Sequence, residues 1–158
     1  MGTGKTTVGA ALAQRLERQF LDNDVLLERR TGKTAAELRR GLGENALHQV
    51  EAEVLLTCLA VRPVAVIAAA ASTIDNRKVR EALRVSAFVV WLRTDVHVLS
   101  ERLSHSDHRP IPGDAADVVA RQDRKRRTRY ASVADVKLDT TGRTGLEATD
   151  DLMRRIRA

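Results

Sequence analysis

The chain opens on Met1-Gly2-Thr3-Gly4-Lys5-Thr6-Thr7 and passes straight into an amphipathic helix. A phosphate-binding loop follows the pattern GxxxxGK and then Ser or Thr. Its backbone N–H groups wrap an anion while the helix N-terminus adds its positive end. Gly4-Lys5-Thr6 is the second half of that pattern. In this role Gly2, Thr3 and Gly4 belong to the cradle, Lys5 reaches the β- and γ-phosphates of ATP, the Thr6 hydroxyl ligates Mg²⁺, and Thr7 lies near the α-phosphate. The first glycine of the pattern, and the apolar strand that feeds such a loop, would fall before Met1. The expectation is that Met1 is an internal methionine of the loop and that roughly ten residues encoding a first strand lie upstream.

The rest of the chain alternates helix and strand patterns. Val8, Leu12 and Leu16 recur every four positions and mark the buried stripe of the first helix. Phe20 to Leu27 reads as a short strand that ends in acidic residues and runs into a turn or helix. Thr34-Ala35-Ala36-Glu37 has capping-box spacing, with Gly41 and Gly43 bracketing the stop, and a second helix runs from Glu44 to Val61 before Pro63. Val64 to Ile67 and Phe88 to Leu92 are continuous apolar runs, the pattern of central strands buried on both faces. Helical patterns cover Asn76 to Leu83 and Val96 to Leu103, a lid covers about 104–114, and a basic helix leads to Tyr130. Val133 to Leu138 reads as a last strand and Gly145 to Ile156 as a closing helix. This order predicts a three-layer α/β/α P-loop NTPase fold with a parallel sheet, as a single domain over residues 1–158.

Composition narrows the functions. A chain of 158 residues that is 43% apolar and 30% charged has enough apolar residues to build a core, and with only 3% aromatic residues that core consists of Ala, Val, Leu and Ile. The longest apolar run, Val64 to Ala71, is far short of the roughly 20 residues of a membrane span, and no signal peptide is expected. Cys58 is the single cysteine, which excludes an internal disulfide and fits a cytoplasmic protein. The net charge of +6 suits anionic partners such as nucleotides. Arg124 to Arg129 is a basic run, but no aromatic residues interleave it for base stacking. It reads as a solvated helix face rather than a nucleic-acid site.

Taken together, Gly2 to Gly9, Phe20-Leu21-Asp22-Asn23-Asp24, Thr31-Gly32-Lys33, Gly43-Glu44 with Glu51, Arg109-Pro110 and Arg129-Tyr130 make the chain resemble shikimate kinases along essentially its whole length. The resemblance implies an ATP- and Mg²⁺-dependent transfer of phosphate to a hydroxyl of a small metabolite. It implies that Asp22 holds the Mg²⁺ shell through water and that Asp24 accepts a hydrogen bond from the attacking hydroxyl. By the same resemblance Arg109 closes onto the phosphates, and Arg102 and Arg143 line the adenine. A monomer is expected.

The acceptor half departs from the family pattern. His48 stands where an arginine grips the substrate carboxylate, Ala68-Ala69-Ala70 replace a glycine triplet, and Ala131 replaces a second arginine after Tyr130. A protonated His48, one turn from Glu44 and Glu51, is the candidate replacement in the substrate site. Loss of two charge-assisted clamps at about 1.5 to 3 kcal/mol each disfavours shikimate itself as acceptor. The alternative function is a nucleotide-binding domain with impaired catalysis.

Overall fold

Phe20–Asp22 (β1) and Val66–Ala68 (β2) lie side by side as parallel strands in a computed structural model that describes residues 2–99 and 115–157. Phe20 is in register with Val66 and Asp22 with Ala68. A second parallel pair joins Val90–Arg93 (β3) to Val136–Asp139 (β4), with Val90 opposite Val136 and Arg93 opposite Asp139. Parallel neighbours need a crossover, and helices supply it. Asn23–Thr31 (α2), Ala35–Leu42 (α3) and Glu44–Leu59 (α4) connect β1 to β2. A 3₁₀ turn at Ala71–Asp75 and Arg77–Ser86 (α5) precede β3, and Ala115–Ala131 (α6) precedes β4.

Lys5–Arg15 (α1) and Gly145–Arg157 (α7) cover one face together. Val8 and Leu12 of α1 cluster with Leu138, Leu152 and Met153, and Val66 on β2 and Val90 on β3 pack against this cluster, so one core lies against both strand pairs. The approach is close at Gly9, where a Cβ would stand 2.7 Å from a ring carbon of Phe20. On the opposite face Leu47, Val54 and Cys58 of α4 pack with Leu21, Leu27 and Leu38, and burial pushes the Cys58 thiol pKa up, consistent with a packing role. Among the described residues no helix is long and apolar enough to cross a membrane.

The Phe20 to Leu27 run is a strand to Asp22 and then turns into a helix, as expected, because the Asp22 carboxylate caps α2 by accepting from Asp24 N–H. Gly41 and Gly43 bracket the stop of α3 at Leu42, and the Thr34–Glu37 capping box forms as expected. One sequence expectation, on the apolar runs, needs correction. Neither is a central strand buried on both faces: in β2 only Ala68 is buried, and in β3 no residue is. Among the described residues the two strand pairs do not join, and the facing edges of β2 and β3 border a cavity of about 450 Å³.

Candidate nucleotide and acceptor site

The first turn of α1 is an anion site by its backbone. Gly4 caps the helix at φ 84° with no side-chain cap, and Gly2 also has positive φ, at 68°. Two left-handed glycines flanking Thr3 turn successive amides toward a common point, which non-glycine residues resist. Lys5 is half-buried and lines the cavity beside this loop, whereas Thr6 and Thr7 are exposed.

All four strands end at the loop. Thr6 Oγ1 donates to Asp22 Oδ2 at 2.8 Å, from the first turn of α1 to the last residue of β1. Thr140, just beyond β4, places its hydroxyl 3.3 Å from the Thr3 carbonyl and 2.7 Å from the Thr94 hydroxyl, just beyond β3. Asp22 works at both of its oxygens, since Oδ1 accepts from Asp24 N–H at 3.0 Å. Asp24 is therefore exposed on the first turn of α2, directly beside the Thr6–Asp22 pair. A hydroxyl and a carboxylate are hard oxygen donors and suit Mg²⁺, which takes one or two protein ligands and fills its remaining positions with phosphate and water. ATP and Mg²⁺ thus fit the residues present.

The acceptor end is less open and more charged than the sequence suggests. Glu51 is fully buried in α4 and accepts from the Ser72 hydroxyl, while His48 Nε2 sits 3.5 Å from Glu44 Oε1. Past the Ala68 to Ala71 floor, Asp75 receives Arg126 Nε at 2.9 Å and Arg129 at 2.5 Å. Burial raises the Asp75 pKa, but hydrogen bonds and charge from Arg126 and Arg129 outweigh it and hold the carboxyl below its usual range. Tyr130 donates to the Ala71 carbonyl at 3.0 Å, stacks on Trp91, and has its pKa pushed up to about 12 by burial.

The basic run is therefore not uniformly a solvated face. Arg126 is 8% exposed and enclosed because Asp75 from the preceding layer compensates its charge. Sequence reasoning missed Asp75, since nothing in Ala71–Asp75 marks its carboxylate as the partner of arginines some 50 positions away. Arg143, expected at the adenine, is bonded to Asp151 at 2.8 Å, and that carboxylate also receives Arg155; hydrogen bonds from Arg155 and Arg143 lower its pKa to about 2. Arg102, Arg109 and the lid at 104–114 lie outside the described residues.

A glycine-cradled helix N-terminus carrying lysine, with a threonine–aspartate pair beside it and parallel strands ending at it, defines a P-loop small-molecule kinase. The chain belongs to the shikimate kinase family, whose model, described as "Shikimate kinase", matches residues 1–157. A shikimate kinase of Symbiobacterium thermophilum is 34% identical over 160 residues, covering 99% of this chain and 91% of that one. One of Persephonella marina is 28% identical over 157 residues, at 99% and 94% coverage. The solved shikimate kinase of Acinetobacter baumannii, in complex with shikimate, superposes with a TM-score of 0.93 at 30% identity over 99% of this chain and 88% of that one. That of Bacteroides thetaiotaomicron reaches 0.88 at 25% identity, with 100% and 94% coverage. Family and fold are those of enzymes that transfer phosphate to a hydroxyl.

Proposed function

We propose that this single domain moves the γ-phosphoryl group of ATP to a hydroxyl of a small metabolite in the cytoplasm, working as a monomer, and that its acceptor site no longer favours shikimate. The observation that carries the transfer chemistry is the hydrogen-bonded line Thr6–Asp22–Asp24 at the mouth of the phosphate loop. The loop amides from Gly2 to Thr7 hold the phosphates, Lys5 lies against the β- and γ-oxygens, and Thr6 with Asp22 holds Mg²⁺. The metal supplies neutralisation of charge on the phosphates.

Asp24 orients the acceptor hydroxyl for in-line attack. The acceptor oxygen bonds to the γ-phosphorus, the bond from that phosphorus to the β-bridging oxygen breaks, and the hydroxyl proton passes to the Asp24 carboxylate as ADP leaves. Such a loose transition state rewards positioning and charge more than strong proton abstraction, so an exposed carboxylate on a rigid helix start suffices. Arg109 closes from the lid as a bidentate guanidinium, and Arg102 and Arg143 flank the adenine. For Arg143 this requires release from Asp151.

The acceptor reading rests on charge. His48 and Ala131 supply no permanent cation, and Arg126 and Arg129 by the Ala71 end of the floor are already bound to one carboxylate. An incoming carboxylate would have to compete with Asp75, whereas a neutral polyol would not. A coupled ADP-release assay should therefore give faster turnover with a polyol than with shikimate. Shikimate turnover at ordinary enzyme rates would overturn the acceptor assignment. ATP binding without any acceptor turnover would instead favour a nucleotide-binding domain with impaired catalysis.

A further inference from the structure

We propose that Gly145, the first residue of α7, is a positioning residue for ATP: by lacking a side chain it seats the Thr7 methyl and so fixes where the Thr7 hydroxyl stands. This rests on the reading of Thr7 as part of the phosphate loop.

The two helices meet more closely at this point than a side chain allows. A Cβ at Gly145 would stand 2.6 Å from Thr7 Cγ2 and 3.6 Å from Thr7 Cβ. The backbone does not ask for glycine, since Gly145 opens an α-helix without a positive φ, and alanine is the better helix former. What excludes alanine is Thr7.

Neither backbone is free to retreat. Val8, next to Thr7, is buried in one cluster with Ala148 of α7. Thr149 Oγ1 donates to the Gly145 carbonyl at 2.7 Å. A capping box holds the same turn from its other side, with Thr144 N–H donating to Glu147 Oε2 at 2.8 Å and Glu147 N–H donating to Thr144 Oγ1 at 3.2 Å. At the far end of α1, Arg15 pairs with Asp150. Separating α1 from α7 would open this core, so a methyl added at residue 145 must be taken up by the Thr7 side chain.

Threonine carries a methyl, a hydroxyl and a hydrogen at three staggered positions, and its χ1 is stiff. The three turn together. Either staggered rotation that removes the methyl from residue 145 therefore also removes the hydroxyl from its present position. A serine keeps the hydroxyl there with only hydrogen toward residue 145, so the effect of Gly145→Ala should depend on the methyl of residue 7.

A double-mutant cycle reads that dependence, with affinity for ATP and Mg²⁺ measured by calorimetry and the melting temperature followed on the same samples. Gly145→Ala should weaken binding about 10-fold in the parent chain, the loss expected for a hydrogen bond to a charged group, and less than about 2-fold in a Thr7→Ser background. The double variant should melt no lower than Thr7→Ser alone. An equal loss in both backgrounds would mean that α7 itself had shifted and would overturn the proposal. Thr7→Val separates failure of the proposal from failure of its premise. Its affinity should fall about 10-fold, and an unchanged value would take the Thr7 hydroxyl off the phosphates and remove the premise. Weak binding by Thr7→Val beside parental binding by Gly145→Ala would overturn the positioning role alone.

Discussion

Thr6 Oγ1 reaches Asp22 Oδ2 across 2.8 Å, joining the first turn of α1 to the end of β1 although the residues stand 16 positions apart. The bond presents two oxygen ligands side by side before any ion arrives. Replacing Thr6→Val deletes one of them and leaves packing nearly unchanged. Loss of an interaction with a charged partner, about 1.5 to 3 kcal/mol, predicts Mg²⁺-dependent ATP affinity about 10- to 100-fold weaker. Calorimetric titration should show binding in EDTA unaltered, and an equal loss without metal would place Thr6 on phosphate instead.

Gly4 is held at φ 84°, where any other side chain is strained. Gly4→Ala meets little steric crowding, the nearest atom to its Cβ being Val8 Cγ2 at 3.9 Å, so the effect is one of backbone conformation. A left-handed non-glycine residue costs about 1 to 2 kcal/mol. The melting temperature should fall and ATP affinity with it; unchanged ATP affinity would mean that these amides do not cradle phosphate.

Asp75 should matter more to stability than a surface acid does. Asp75→Ala leaves Arg126 enclosed without its carboxylate, at a cost of about 3 kcal/mol at pH 7. The sign with pH follows from the lowered pKa. Stability contributed by the ionised carboxyl is present above the ordinary value of 3.8 and is lost as pH falls through the lower folded value. The stability gap between parent and variant should thus close in acid, and a gap constant down to pH 2 would contradict the ion-pair account.

Asn23 is 1% exposed, and neither its amide nitrogen nor its oxygen has a hydrogen-bond partner among the described residues. Burying an unsatisfied amide is costly, so Asn23→Leu, similar in size and able to pack against neighbouring apolar side chains, should raise stability by about 1 kcal/mol. Chemical denaturation would register this as a higher midpoint at unchanged slope. A lower midpoint would show that a water satisfies the amide.

Much of this molecule is local and therefore legible in the chain. The glycines and lysine before α1, the capping box at Thr34 and the Val8–Leu12 stripe need only neighbouring residues to act, and each forms where its spacing places it. Asp22 and Asp24 also lie where the acidic end of a strand predicts, with Asp22 capping the next helix. Tertiary structure decided what depends on distant partners. Arg126 became a buried ion-paired residue only because the turn ending in Asp75 folds against α6, and Arg143 was drawn to Asp151 on a helix whose rotation the sequence pattern does not specify at that position. The apolar runs in β2 and β3 show the division most clearly. Their composition asks for burial on both faces, which is a property of single segments. Whether they receive it depends on what the folded chain packs over each face, a property of the assembled layers.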